Sequence, residues 1–474
     1  MGPIRSIPLE KLPPGYQTKP QNGRIAWLHA ITGLLIVFNC WGINNAFGLF
    51  QEYYETVHLP GSSPSTIAWI GSTQLALVFA LGVPVGKLVD KGHFRLVFHT
   101  GTVIMLVGIF CTAWCTKFWQ LFLVQGLITG LGMGMVFCSG VVALMTWFDE
   151  MHVGMAMGVA AAGSAIGGIA YVLLARHLLR TMGFATTMRI LGGVAAVAMV
   201  PPSLVYRMRD QKHKHLRRFQ RASRASPIQF GSFESSAMMP MPVTMPPRTG
   251  WRTFVQPEYL LAGAGMSLAF LGVYFPFVFI ISYGSTELDL SQKASTNLLI
   301  YMLSASLPGR FVPALISDRC IGPLNTVIPS VLLSSAVIGL WAASQQNEVS
   351  LIVLACFYGF VSAGVQVLYA PTVHALCMEP KPTRAPFDEL NSHMNHGLAT
   401  DRLGLKAGGI FIFIGIACLV GTPIGGALIR YSTDMGISQP FLAGQIFAAV
   451  SLLLSGVLLL ASRTAKAGWT ARRT

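Results

Sequence analysis

GKLVDKGHFR, residues Gly86 to Arg95, joins two apolar runs at 66–85 and 96–113. A connection this short between two segments of membrane-spanning length makes them antiparallel neighbours. Gly86 permits close helix approach and Gly92 a tight turn, while Asp90, Lys91 and Arg95 set opposite charges at one membrane face. Two readings follow. The charges are positive-inside anchors on a solvated turn, or they form a latch that holds neighbouring helices in one of two arrangements.

Composition extends the membrane reading to the whole chain. Of 474 residues, 53% are hydrophobic and 11% charged, with mean hydropathy +0.58. A soluble domain carries about a quarter charged residues. The net charge of +15 lies between apolar runs, so it reads as membrane orientation and not as a nucleic-acid surface. Cys40, Cys111, Cys115, Cys138, Cys356 and Cys418 fall inside apolar runs and read as small hydrophobes, with no metal-type C-x-x-C pair.

Apolar runs predict helices near 25–50, 66–88, 96–116, 119–144, 153–176 and 186–206, then 259–283, 294–317, 322–343, 349–374, 406–430 and 438–462. The domain reading is a cytoplasmic tail (1–23), a six-helix half (24–206), a cytoplasmic linker (207–257), a second six-helix half (258–462) and a tail (463–474). The linker is rich in Arg, Lys, Ser, Pro and Met and holds no apolar span. Residues 1–23 carry no apolar signal core, so the first helix is expected to direct insertion. With both termini cytoplasmic, Lys117, Arg176, Arg180, Arg189, Lys293 and Arg430 fall outside, and Arg310 lies within a span. The rest of the 33 Lys and Arg lie inside. Asp318-Arg319 after the eighth helix repeats the position of Asp90-Lys91 after the second, as expected of two related halves with a cavity between them.

Several stretches together resemble the fungal branch of the monocarboxylate-porter family within the major facilitator superfamily. They are G-x-x-x-D-K-G-x-x-R at 86–95, WGINNAFGLFQEYYE at 41–55, WIGSTQ at 69–74, FWQLFLVQGLITGLGMG in the fourth helix and AMGVAAAGSAIGG in the fifth. YFPFVFI, LPGR, ISDR, YGFVSAG and LVGTPIGGAL follow in the second half. The resemblance covers most of residues 24–430. It implies an all-α integral membrane fold of twelve transmembrane helices in two pseudo-symmetric halves. It also implies a gating role for Gly86, Asp90, Lys91 and Arg95, with Asp318 and Arg319 as their second-half counterparts. Independently, Gly126, Gly130 and Gly134 on one helix face, and Gly163, Gly167 and Gly168 on another, predict close helix packing.

Charge within a span is costly and marks function. Arg310 is the deepest such residue, eight residues and about 12 Å before Asp318. It is expected to face an anionic group of a substrate, to snorkel, or to bond carbonyls of a broken helix near Pro308 and Pro313. Asn44, Asn45, Gln74, Tyr301, Tyr358 and Gln366 are the other candidate substrate-binding residues, each also able to serve as an interhelical hydrogen bond. Pro276 is expected to bend its helix beside Tyr274 and Phe275. The resemblance associates proton-linked monocarboxylate transport with an Asp one turn before the Arg and a Lys in the first helix. Here those positions hold Ser306 and Asn44. It also places basic residues where this chain has Asp149 and Glu150. The stretch 377–395 reads as a loop, and His374, His393 and His396 show no metal-ligand spacing.

No phosphate-binding G-x-x-x-x-G-K-[ST] loop and no nucleophile elbow occur, so neither ATP drive nor enzyme chemistry is expected. The expectation is a monomeric secondary transporter in the lipid bilayer, without cofactor or metal, moving a small organic solute by alternating access. The resemblance implies two directions. One is efflux of a fungal secondary metabolite, favoured by Ser306 and Asn44; the other is proton-coupled uptake of a monocarboxylate. A non-transporting receptor on the same fold is the alternative from another class. The plasma membrane is the expected location, with a vacuolar or other internal membrane as the alternative.

Overall fold

The computed structural model describes residues 23–148, 152–207, 256–343, 347–377 and 388–467, with backbone alone at Asp90, His374, Cys377, 388–408 and Ala467. Twelve helices among these are long and apolar enough to cross a membrane. They are α1 (Arg24–His58), α2 (Pro64–Val89), α3 (Phe94–Thr112), α4 (Phe118–Met145), α5 (Val153–Thr181) and α6 (Gly183–Val205) in the first half. The second half holds α7 (Pro257–Thr286), α8 (Gln292–Ile321), α9 (Pro323–Ala343), α10 (Glu348–Val373), α11 (Gly409–Asp434) and α12 (Leu442–Lys466). The fold is the expected all-α membrane bundle. Asp149 and Glu150 lie outside the described residues, as does the body of the linker at 208–255.

Helix starts and turns follow from local chemistry. The Ser63 hydroxyl accepts from the Thr66 N–H at 3.1 Å to start α2, and Ser291 does the same for Ala294 at 3.3 Å in α8. Gly92 (φ 88°) and Gly322 (φ 86°) make the turns after α2 and α8 in a left-handed conformation that side chains disfavour. Both charged turns thus close on a glycine with positive φ.

One loop reading is corrected. Helix resumes at Asp388 and runs without a break to Asp434, so 388–395 extends α11 backwards instead of forming part of a loop. Pro386 is the last proline before the span, so nothing in 388–395 breaks a helix extended back from it. Helices α1 and α7 are interrupted: α1 after Asn45 at Ala46, and α7 after Val273 at Tyr274, just before Pro276. The bend expected at Pro276 is present.

Glycine faces set the packing. A Cβ on Gly126, Gly130 or Gly134 would meet the α2 backbone at Ile70, Gln74 or Leu77, and one on Gly163 or Gly167 would meet the α1 carbonyls of Leu34 or Phe38. Without a hydrophobic drive between helices in lipid, such close backbone approach supplies much of the packing energy.

Among the described residues, three helix pairs make close contacts between the halves. On α1 and α7, Gly48 rests on the Phe277 carbonyl. On α2 and α11, Ser65 Oγ donates to the Pro423 carbonyl at 3.0 Å and Gly415 lies against Ala76 and Ala80. On α5 and α8, Arg176 donates to Asn297 at 2.9 Å and Arg180 to Gln292 at 2.8 Å. Gly168 on α5 also packs on Leu303 of α8.

Candidate functional site

A cavity lies between the halves. The first half contributes Trp41, Phe137, Ser164 and Tyr206, and the second contributes Phe270, Tyr274, Arg310, Gln366 and Tyr369. Its walls are mostly apolar and aromatic, with a few polar groups converging from α8 and α10, the usual make-up of an organic-ligand site.

Arg310 is the only charged residue in that wall and is 2% exposed. Its Nη2 donates to Gln366 Oε1 at 3.0 Å, while Arg310 Nε and Gln366 Nε2 have no hydrogen-bond partner. The reading of Arg310 as bonded to carbonyls of a broken helix does not hold: α8 continues through Pro308 and Pro313. A guanidinium buried without a carboxylate in the surrounding wall is unfavourable. A bound group that accepts hydrogen bonds and carries negative charge relieves that cost. Burial pushes the Tyr206 phenol up, so it stays a neutral donor, bonded to the Gly140 carbonyl at 3.1 Å.

The other sequence candidates divide into four groups. Gln366 joins Arg310 at the cavity. Asn44 and Asn45 line a smaller cavity together with Ser72, Tyr274, Phe277 and Thr422. Asn44 Nδ2 donates to the Cys40 carbonyl at 2.7 Å, and Asn45 Nδ2 donates to the Ser164 carbonyl at 3.1 Å. Gln74 and Tyr358 are interhelical ties outside the central wall. Gln74 Nε2 reaches Met133 Sδ at 3.3 Å, and the Tyr358 hydroxyl donates to the Val273 carbonyl, at the α7 interruption, at 2.7 Å.

Tyr301 is misplaced as a binding residue: it is 39% exposed on the outer face of α8. It precedes Arg310 by nine residues, about two and a half turns, which sets the two on opposite helix faces.

Of the residues expected to gate, Gly86 is buried near the end of α2, whereas Lys91, Arg95 and Arg319 are exposed. The Asp90 side chain lies outside the described residues. Asp318 is buried, and its Oδ2 accepts from the Met155 N–H of α5 at 2.6 Å. A Cβ on Gly154 would strike that carboxylate.

Sequence reasoning passed over Trp41, Tyr206, Phe270 and Tyr369 as cavity walls, since each belongs to an ordinary apolar run. It also passed over Glu52 on α1, 7% exposed, whose Oε2 has no hydrogen-bond partner. The signal was available: Glu52 follows Asn45 by seven residues, about two turns, and so shares its helix face.

Two six-helix halves around a buried cavity, tied at both ends by helix pairs across the interface, define a facilitator-type membrane transporter. The chain belongs to the Major Facilitator Superfamily, whose sequence profile it matches over residues 30–386. It is 30% identical over 436 residues to an MFS-type transporter of Gibberella zeae, covering 90% of this chain and 86% of that one. It is 28% identical over 449 residues to the aspyridones efflux protein apdF of Emericella nidulans, covering 93% and 78%. It is 27% identical over 455 residues to the agnestins efflux protein AgnL12 of Paecilomyces divaricatus, covering 95% and 89%.

Proposed function

We propose that this transporter exports an aromatic secondary metabolite that carries one acidic group, such as a carboxylic acid, an enol or an acidic phenol. The observation that carries this reading is Arg310, a buried cation in an aromatic cavity between the halves, with Gln366 beside it and no carboxylate in the wall. The cargo's acidic group would complete Arg310, and Trp41, Phe137, Phe270 and Tyr369 would stack on its ring system. The efflux names of the related fungal proteins support the direction. The face that bears both described termini and the turns at Gly92 and Gly322 is taken as cytoplasmic, from the distribution of Lys and Arg. A monomer in the plasma membrane suits that role.

Proton coupling is supported by Glu52, a buried carboxylate on a span with one unpartnered oxygen. Glu55 and Arg180 are the charged groups whose fields reach it. Uptake of a simple monocarboxylate has less support. Ser306, one turn before Arg310, spends its hydroxyl on the Leu303 carbonyl at 2.7 Å and offers no proton-exchanging group.

The test compares metabolites in cells and medium with and without this gene. Export is upheld by an acidic aromatic compound retained inside cells that lack it. A medium compound no longer consumed would overturn export in favour of uptake.

A further inference from the structure

The smaller cavity sits directly beyond the central one, and the two share Tyr274 as a wall. On α1 the central cavity takes Gly33 through Trp41 and the smaller one takes Asn44 through Phe47. On α7 the central cavity takes Phe270 and Tyr274, and the smaller one Tyr274, Phe277 and Val278. Both helices therefore order the chambers in the same direction. The boundary between them is the Trp41–Tyr274 pair, stacked at 6.1 Å between ring centroids with an interplanar angle of 15°.

The smaller chamber is polar in a way that packing alone does not explain. Asn45 Oδ1, Ser72 Oγ and Tyr274 Oη are all buried and have no hydrogen-bond partner, and each belongs to a residue at most 5% exposed. Unmatched buried polar atoms are expensive, and Asn45 and Ser72, which line this space and not the central cavity, call for an occupant that can both donate and accept. The helices are also broken at this level, α1 at Ala46 and α7 at Tyr274. Beyond the breaks, the outer segments Phe47–Tyr53 and Phe275–Thr286 pack together through Gly48 on the Phe277 carbonyl and roof the chamber.

We propose that this smaller cavity is a second chamber on the transport path, closed from the central cavity by the Tyr274 ring and roofed by the outer segments of α1 and α7. It takes a neutral hydroxyl-bearing part of the cargo. The inference rests on the reading of the central cavity as the cargo site. Release then needs two openings in series. The outer segments hinge at Ala46 and Tyr274 to uncover the second chamber, and the Tyr274 ring turns aside to join it to the first.

The test is labelling of introduced cysteines in the full-length protein in membrane vesicles. It uses a membrane-impermeant cationic methanethiosulfonate and locates modified peptides by mass spectrometry. Ala161→Cys reports on the central cavity and Ser72→Cys on the second chamber. With reagent on the face of the charged turns, Ala161→Cys should react and Ser72→Cys should be protected. A closed wall leaves the open state at a few per cent or less, so adding Tyr274→Ala should raise Ser72→Cys labelling by about tenfold or more. Tyr274→Phe, which keeps the ring, should not. Unchanged protection of Ser72→Cys with Tyr274→Ala, while Ala161→Cys still reacts, overturns the divider and leaves the central site intact. Failure of Ala161→Cys to react from either face removes the central-cavity reading, and this proposal with it. If Tyr274→Ala does not fold, Tyr274→Leu serves the same comparison.

Discussion

The Asp318 carboxylate, carried by the second half, accepts a 2.6 Å hydrogen bond from the Met155 N–H in the first turn of α5, in the first half. A negative charge at a helix N-terminus is stabilised both by the free N–H groups and by the helix dipole, by about 1 kcal/mol. The bond crosses between the two halves; if they move against each other during transport, it should stabilise one arrangement over the other. Asp318→Asn should shift that balance by roughly fivefold. Spin-label distances between the halves should broaden or lengthen at this face, and turnover should change more than cargo affinity. Gly154→Ala should have the same effect, because its methyl group would meet the carboxylate. Unaltered distances and kinetics in both variants would remove the latch.

Arg310→Gln removes the cation from the cavity. Hydrogen bonds to charged groups are worth roughly 1.5–3 kcal/mol, so affinity for an acidic cargo should fall by about tenfold to a hundredfold. Binding of its methyl ester or ether should change far less. Titration of both ligands against both proteins separates the two, and equal losses would mean that Arg310 only packs.

Glu52→Gln keeps the shape of a buried group and removes its proton chemistry. If Glu52 carries the coupling proton, the variant should lose cargo accumulation driven by a pH gradient in proteoliposomes. It should keep cargo-for-cargo exchange, which needs no net proton movement. Undiminished pH-driven accumulation would exclude Glu52.

Gly163→Leu tests the close contact of α5 with α1, where any side chain would meet the Leu34 carbonyl and the Phe38 N–H. Overpacking of this kind costs about 1–3 kcal/mol. The melting temperature in detergent should drop by several degrees, whereas Gly193→Leu, at an open position, should leave it unchanged.

Helix number and the two charged turns were legible because hydropathy and the Asp-plus-glycine pattern are local properties of the chain. Arg310 was legible too, since a lone cation in a span stands out against apolar neighbours. Its partner Gln366 is 56 residues away, and only folding selects it from the other amides. Tyr301 misled because a polar aromatic in a span carries no label for helix face until a fixed residue such as Arg310 sets the register. The Trp41–Tyr274 wall was hidden for a related reason. Each residue belongs to an apolar run in a different half, and their stacking follows from how α1 and α7 break and meet. Asp318 was marked as a gating charge, and the Met155 N–H it accepts from, 163 residues away, is selected only by folding.

The most direct test of acidic-metabolite export is uptake into everted membrane vesicles of the compound retained by cells lacking the gene. Vesicles with the wild-type protein should accumulate it against its gradient, and vesicles with Arg310→Gln should need roughly tenfold more compound to reach the same rate. Equal accumulation in vesicles with and without the protein would contradict export, and equal performance of the Arg310→Gln protein would contradict the site.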